Sequence, residues 1–192
     1  MKAFNVQFDL VAQVAAFGKK HLDLFPPTTF AGQRFTTGSA HLEGGAQFTR
    51  WLNVYASIEG GPGIFYDPAN PFAGTSRSGR VDLGLQPNAR LDLRASYNFA
   101  AFDRQTGDNV FTVHIVNLRN TYQFTPRFLL RAIVQFDSSR RRVLGDFLAS
   151  YELVPGTVMH VGYGSVLESL PSEPYRNTAR AFFFKASYLL RF

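Results

Sequence analysis

Two residues of the kinds that do chemistry, His41 and Glu43, stand two positions apart where polar and apolar residues alternate. On an extended strand this spacing places both side chains on one face, where they could bind a metal ion or form an acid–base pair. Two residues are too few for a site, and the sequence does not identify their partners. The sequence also has no cysteine, no glycine-rich phosphate loop and no nucleophile motif around His114 or His160. We therefore expect no enzyme, no cofactor and no metal site.

Charged residues form a larger set, because they recur at every second position of the alternating stretches. On strands they would share the face opposite the apolar one. One interpretation is a ladder of cross-strand ion pairs that fills a narrow lumen. The other is a hydrated channel lining that attracts anionic solutes. The predicted lumen-facing charges are Arg80, Asp82, Arg90, Asp92, Arg94, Arg119, Arg131, Asp146, Glu152, Lys185 and Arg191.

A run of three arginines, Arg140 to Arg142, lies between two of the alternating stretches. On an outer surface their guanidinium groups could bind lipopolysaccharide phosphates in a bidentate way; the alternative is an ordinary solvated loop. The net charge of +6 does not predict nucleic-acid binding, because the arginines are spread over many strands and are not gathered on one helix.

Strands must position these side chains, and the alternation predicts about ten of them. The segments 18–37 and 61–79 are rich in polar, Gly and Pro residues and are predicted as long loops, the first with a short hairpin. A β-bulge is predicted near Ile115 and Val116. The predicted strands cover approximately residues 3–17, 39–49, 52–60, 80–86, 90–99, 110–124, 128–136, 143–153, 159–164 and 181–192.

The predicted connections alternate in length along the chain. Those after the second, fourth, sixth and eighth strands are tight, whereas those after the odd-numbered strands are longer and polar. Bacterial outer-membrane barrels have an even number of strands, short periplasmic turns and long outer loops. We therefore predict an all-β fold, an antiparallel up-and-down transmembrane β-barrel of about ten strands, either complete or an incomplete part of a larger barrel.

The last dozen residues carry the strongest single signal. Phe182, Phe184, Tyr188, Leu190 and Phe192 fall on one face of a strand, with Lys185, Ser187 and Arg191 on the other. Aromatic residues of this kind band the membrane interfaces of outer-membrane barrels. The tail also resembles the C-terminal signal of bacterial outer-membrane proteins, and this resemblance implies recognition by the barrel-assembly machinery.

Length and composition set the remaining limits. The 192 residues suit one domain, and no apolar run approaches the roughly 18 residues of a membrane-spanning helix. The N-terminal segment MKAFNVQFDL is not a signal peptide, because Asn5, Gln7 and Asp9 interrupt its apolar residues. The sequence is therefore either a mature form with an added Met or the C-terminal part of a longer chain, and we expect the second.

The run NLRNTYQFTPRFLLRAIVQFDSS, then FLASYELVPGT and the terminal FFFKASYLLRF, resembles the end of a known family. The family consists of large bacterial outer-membrane barrels of unknown function that carry an N-terminal domain similar to family 9 carbohydrate-binding modules. The resemblance is sharpest over the last eighty or so residues. It implies a barrel with more strands than counted here. Carbohydrate binding does not transfer, because this chain lacks the domain that implies it.

The sequence thus predicts an outer-membrane β-barrel segment with a pore, transport or surface-anchoring role and no catalysis of its own. Its expected partners are outer-membrane lipid, lipopolysaccharide and the assembly machinery. Two alternatives remain: a barrel-embedded hydrolase acting on lipid or glycan through a Ser–His pair, and a soluble β-barrel with an apolar ligand inside. The soluble barrel would fold in water without detergent.

Overall fold

A computed structural model describes residues 19–24, 28–30, 32–67 and 69–189. Ten strands form one sheet in the order β1-β4-β5-β6-β7-β8-β9-β10-β11-β12, and β2 and β3 form a separate hairpin. Within these ranges no helix is long and apolar enough to cross a membrane. The strands are β1 Lys19–Leu24, β2 Thr28–Phe30, β3 Gln33–Phe35, β4 Gly38–Thr49, β5 Leu52–Phe65, β6 Phe72–Asn88, β7 Leu91–Arg104, β8 Asn109–Thr125, β9 Phe128–Asp137, β10 Arg142–Val154, β11 Thr157–Glu168 and β12 Arg176–Tyr188.

The strand order is that of an up-and-down meander. From β4 onward every strand neighbours the next one along the chain, and the register of the β8–β9, β9–β10, β10–β11 and β11–β12 pairs is antiparallel. This confirms the predicted all-β, antiparallel fold class. Within the described residues the barrel is not closed, since β1 and β12 stand at the two ends of the order.

The connections confirm the predicted alternation. Two residues join each of four strand pairs, at positions 50–51, 89–90, 126–127 and 155–156. The intervening connections are longer and span residues 66–71, 105–108, 138–141 and 169–175. Side chains stabilise the tight turns: the Asn88 Oδ1 accepts hydrogen bonds from the backbone N–H groups of Arg90 and Leu91 at 2.9 and 3.1 Å. Such local bonds are the reason that Asn is favoured in turns.

The prediction of a long loop over residues 61–79 is wrong. β5 continues to Phe65 and β6 begins at Phe72, so only residues 66–71 connect them. Two of the glycines that suggested a loop, Gly61 and Gly74, are instead required by close packing. A Cβ atom on Gly61 would overlap the carbonyl group of Gly38 on β4, and only glycine lets two backbones approach so closely.

Other differences lie near the N-terminus and in β8. The predicted strand 3–17 lies outside the described residues. β1, in the segment predicted as a loop, pairs with β4 so that Lys19 lies opposite Glu43, while β2 and β3 confirm the short hairpin. In the pairing of β8 with β9 the register is regular at Ile115 and Val116 and shifts instead between Gln123 and Thr125.

The described chain divides into two compact units. Unit 1 comprises the described residues up to Thr49, Asn53–Asp82 and Tyr97–His114, and unit 2 comprises Arg50–Leu52, Leu83–Ser96 and the described residues from Ile115 onward. The buried apolar residues of the described chain all lie in unit 1; they are Phe35, Ala46, Ile64, Ala101 and Phe102. Among the described residues of unit 2 no apolar side chain is buried to this degree, and the buried polar residues are Ser150 and Ser169.

An aromatic cluster holds the strand ends of unit 1 together. The rings of Phe65 and Phe72 are stacked at 4.9 Å, and the Phe102 ring lies 5.8 Å from that of Phe65. The Arg104 guanidinium lies 4.0 Å from the centre of the Phe72 ring, in cation–π geometry. Gly74 admits the Phe102 ring, because a Cβ atom on Gly74 would overlap both that ring and the backbone carbonyl of Asp103.

Candidate functional site

Unit 2 has one apolar face, and the strand register defines it. Phe147 on β10 lies opposite Tyr163 on β11, which lies opposite Phe182 on β12. The ring centres along this row are 6.5 and 4.7 Å apart. The register also places Asn120, Gly145, Ser165 and Arg180 on this face. Its apolar residues are Val116, Leu118, Tyr122, Phe128, Leu130, Ala132, Val134, Phe136, Val143, Phe147, Ala149, Tyr151, Met159, Val161, Tyr163, Phe182, Phe184, Ala186 and Tyr188.

Large side chains of the apolar face are open to the surroundings. Phe182, Phe184 and Tyr188 on β12 are 79%, 62% and 69% exposed. These three belong to the predicted assembly signal, and they share one face of the strand, whereas Leu190 and Phe192 of that signal lie outside the described residues. A second row of rings, Tyr122, Phe124, Phe128 and Tyr151, follows the ends of β8, β9 and β10 at the tight turns, with centres 4.6, 5.3 and 6.4 Å apart.

The opposite face of unit 2, the polar face, carries the charged residues. On β8, β9 and β10 it holds Arg119, Arg131, Asp146 and Glu152, and on β12 it holds Lys185, which lies opposite His160. The predicted residue Arg191 lies outside the described residues. Their exposure to a lumen stays a prediction, because it depends on how the sheet closes.

Strand β7 brings three further predicted residues to the polar face. The backbone N–H of Gln123 donates a hydrogen bond of 2.8 Å to the carbonyl of Arg90. In an antiparallel pair this bond sets a register in which Arg94 lies opposite Arg119. The amide of Asn117, 3.3 Å from the Ser96 hydroxyl, fits the same register. Arg90, Asp92 and Arg94 therefore share the polar face with Arg119.

Four of the predicted residues form ion pairs within their own strand and not with a neighbouring strand. Arg94 contacts Asp92 of its own strand at 3.1 Å, with side chains 67% and 39% exposed. In unit 1, Arg80 contacts Asp82 at 2.6 Å in the same way. Such exposed pairs contribute about 1 kcal/mol or less to stability. A buried ladder of cross-strand pairs therefore does not describe these residues.

Several cations of the polar face have no such partner. Among the ion pairs of the described residues, none involves Arg90, Arg119, Arg131 or Lys185. Asp146, the acid closest in register to Arg131, turns toward the neighbouring strand. One of its carboxylate oxygens, Oδ1, lies 3.0 Å from the position that a Cβ atom on Gly164 would occupy. The polar face therefore carries uncompensated positive charge.

A serine–histidine contact on the polar face was missed by the sequence reasoning. The Ser150 Oγ lies 2.8 Å from the His160 Nδ1, and the two residues are directly opposite on β10 and β11. Ser150 is only 7% exposed. A hydroxyl beside an imidazole is the arrangement of an activated nucleophile. No motif around either residue could have indicated it, because the contact depends on register alone.

Unit 1 has a polar cluster around the predicted pair His41 and Glu43. The Tyr55 hydroxyl donates a hydrogen bond of 2.5 Å to Glu43, and His41 lies 3.5 Å from Glu43 and 3.9 Å from Glu59. In the described part of the chain no three His, Asp or Glu residues are arranged to hold a metal ion. The Tyr55 hydroxyl therefore interacts with the predicted pair. Among the described residues no third metal ligand lies beside it.

The arginine run 140–142 lies at the connection from β9 to β10. Arg142 lies 4.0 Å from Glu168, and Arg141 has a positive φ of 47°. Asp137 stabilises the turn: its carboxylate accepts bonds from the hydroxyl and backbone N–H of Ser139 at 2.6 and 2.9 Å.

No protein-family model matches the sequence, and no curated protein matches it. Among solved structures, the chain is similar to the P. putida toluene transporter TodX, with 15% identity and a TM-score of 0.38 over 85% of this chain and 53% of that chain. It is also similar to a deltaS2S3 mutant of TodX, a monoaromatic hydrocarbon channel, with 14% identity and a TM-score of 0.40 over 89% of this chain and 56% of that chain. The chain thus spans little more than half the length of both.

Proposed function

We propose that this chain is a segment of a bacterial outer-membrane β-barrel whose polar face lines a hydrated passage for solutes. One observation carries the proposal: over the five consecutive strands of unit 2, the register places the charged side chains on one face, with the exception of Arg180, and most of the aromatic side chains on the other. The face with the aromatic side chains can lie against the hydrocarbon of a bilayer. The face with the charged side chains cannot, since a charged side chain facing lipid costs several kcal/mol.

Exposure and strand length support a membrane location. Aromatic side chains that are more than 60% exposed, as Phe182, Phe184 and Tyr188 are, would promote aggregation in water but suit the lipid interface. A bilayer requires about 9–11 residues of a tilted strand, and β8 to β12 contain between 10 and 17. Tight turns at one end of the strands and longer loops at the other match the two sides of an outer membrane.

Passage of solutes fits the polar face better than surface anchoring alone. Exposed guanidinium groups without an acidic partner require water or a counter-ion around them, and a hydrated lumen supplies both. The proposal includes two kinds of partner. The barrel-assembly machinery would recognise the aromatic face of β12, and lipopolysaccharide phosphates would bind near Arg140 and Arg141.

Two neighbouring leucines of β9 offer a matched test. Leu130 is on the apolar face opposite Ala149, and Leu129 is on the polar face opposite Ser150. A lysine facing lipid costs about 2–4 kcal/mol at mid-membrane and about 0–1 kcal/mol near the interface. Leu130 is the third residue of β9, so we expect a cost of about 1–2 kcal/mol, whereas a lysine facing a hydrated lumen costs little. Refolding into liposomes should therefore fail or weaken with Leu130→Lys and persist with Leu129→Lys, as judged by the gel mobility of unboiled samples and by circular dichroism.

The wild-type chain separates the alternatives. A heat-modifiable band together with single-channel conductance in planar bilayers is the expected result for a solute passage. Folding into liposomes without conductance would favour surface anchoring. Folding in plain buffer, with Leu130→Lys tolerated as well as Leu129→Lys, would refute the membrane proposal and favour the soluble barrel.

A second candidate function, a hydrolase acting on lipid or glycan, rests on the contact between Ser150 and His160. The Ser150 hydroxyl would be the nucleophile and the His160 imidazole its base. Release of fatty acid from phospholipid vesicles by the refolded chain, abolished by Ser150→Ala and by His160→Gln with folding retained, would support it. Equal release by wild type and Ser150→Ala would refute it.

A further inference from the structure

We propose that Arg94, Arg119 and Arg131 form a binding site for oxyanions on the polar face of unit 2, and that the ligand is a solute carrying a carboxylate or phosphate group. This inference rests on the proposed function in one respect, since it requires that water and solutes reach the polar face. It adds the class of solute and the residues that bind it.

The geometry begins with two like charges in register. Arg94 and Arg119 are opposite each other on β7 and β8, by the register that the bond from Gln123 to Arg90 sets. Directly opposite residues of an antiparallel pair have Cβ atoms about 4.5–5.5 Å apart, and like charges at these positions are destabilising. Asp92 reduces this repulsion by pairing with Arg94, and an anion between the two guanidinium groups would reduce it further.

The third arginine extends the site to β9. Ile133 lies opposite Arg119, and Arg131 is two residues from Ile133 on the same face. Diagonal neighbours of this kind are about 7–8 Å apart, within reach of long side chains. Three guanidinium groups on three adjacent strands can thus converge on one group of oxygens. Arg119 and Arg131, which form no described ion pair, can each donate two parallel hydrogen bonds to it.

The surrounding acids do not supply the negative charge. Asp92 is paired with Arg94 at 3.1 Å, which neutralises one of the three arginines. Among the described ion pairs, Arg119 and Arg131 take part in none. Asp146 could approach Arg131, but its carboxylate lies over Gly164 of β11 instead. Two net positive charges therefore remain for an external anion.

Carboxylate and phosphate groups match this donor set better than halide ions do. A guanidinium group presents its N–H donors in a rigid fork that fits a carboxylate or a phosphate in a bidentate way. Lysine in the same place would supply charge without the fork, so Arg119→Lys should bind more weakly than wild type. A site that responded to charge alone would treat the two residues as equal.

The test uses the full chain refolded in detergent micelles, with inorganic pyrophosphate and citrate as probes in isothermal titration calorimetry. Wild type should bind one or both probes saturably. Arg119→Gln and Arg131→Gln should weaken binding at least tenfold, and Arg119→Lys by an intermediate factor. Arg127→Gln is the matched control, because Arg127 lies in the tight turn between β8 and β9 and should leave binding unchanged.

The outcomes separate this inference from the proposed function. Binding that depends on Arg119 and Arg131, in a chain that never conducts, would support the oxyanion site while refuting solute passage. Conductance in a chain whose probe binding is absent, or is equally weakened by Arg127→Gln, would refute the site. Preference for pyrophosphate over citrate would identify phosphate-bearing solutes, and the reverse preference would identify carboxylates.

Discussion

The contact between Gly162 and Phe183 allows a quantitative test of the edge of the described sheet. Phe183 lies on the polar face of β12, opposite Gly162 of β11, where the alternation alone would place a polar residue. Its ring covers the glycine so closely that a Cβ atom on Gly162 would overlap three ring atoms. Aromatic rings commonly cover strand glycines in this manner.

The expected energies follow from the exposure of the ring. Phe183 is 51% exposed, and complete burial of a phenylalanine is worth about 1.5–3 kcal/mol. Phe183→Ala should therefore cost about 1 kcal/mol in the free energy of unfolding. Gly162→Ala should cost about 1–2 kcal/mol, because its methyl group displaces the ring.

In the Phe183→Ala background, the effect of Gly162→Ala on the free energy of unfolding should have the opposite sign. Removal of the Phe183 ring removes the three nearest atoms to the new methyl group, and alanine is better than glycine in a strand by about 0.5–1 kcal/mol. Gly162→Ala should thus stabilise the Phe183→Ala protein while destabilising the wild type. Urea unfolding of the refolded chain, followed by the fluorescence of the single tryptophan Trp51, measures all four proteins.

Gly145 on the apolar face of β10 supplies the control. A Cβ atom there would lie 3.4 Å from the Ser165 hydroxyl and 3.6 Å from the Phe147 ring, so Gly145→Ala should have the same effect with or without the Phe183 ring. If Gly162→Ala were destabilising by equal amounts in both backgrounds, the ring would not lie over the glycine, and the reasoning would be wrong.

Two further substitutions test other parts of the fold by the same unfolding measurement. Gly74→Ala should cost about 1–3 kcal/mol, since its methyl group would overlap the Phe102 ring; Gly63→Ala, whose Cβ would lie 3.4 Å from that ring, should cost much less, and equal costs would contradict the cluster geometry. Asn88→Ala should cost about 1 kcal/mol, because it removes hydrogen bonds of 2.9 and 3.1 Å at the tight turn; an unchanged free energy of unfolding would mean that the turn does not use them.

Alternation within single strands was readable from the sequence because it depends on neighbours along the chain. It predicted the apolar face of Phe147, Ala149 and Tyr151 and the tight turn at residues 155–156, which the register and strand bounds confirm. It failed at glycines, because glycine occurs both in loops and in strands whose backbones approach each other closely. Gly61 suggested a loop, but it lies in β5 because the backbone of β4 comes close to it. Local composition does not distinguish these cases.

Contacts between strands were not readable, because small register shifts decide them. Val154 lies opposite Thr157 at the tight turn, and a shift between Glu152 and Val154 then brings Ser150 opposite His160. Without that shift Ser150 would lie opposite Val161. Since side chains alternate with period two, one residue of slippage moves every side chain of a strand to the other face. The serine–histidine contact therefore exists only because of a bulge that no motif marks.

A register shift of the same kind also positions the arginines of the proposed oxyanion site. Thr125 lies opposite Phe128 at the β8–β9 turn, and a shift between Gln123 and Thr125 precedes the pairing of Arg119 with Ile133. Continuing the register of the turn without this shift would place Arg119 opposite Val134, and so on the face of the aliphatic residues of β9. A bulge beside each of these two turns thus corrects the parity that a two-residue connection imposes. Alternation within each strand separates apolar from charged side chains, and the bulges at the turns align the like faces of neighbouring strands. The proposed membrane location and the proposed solute passage depend on both.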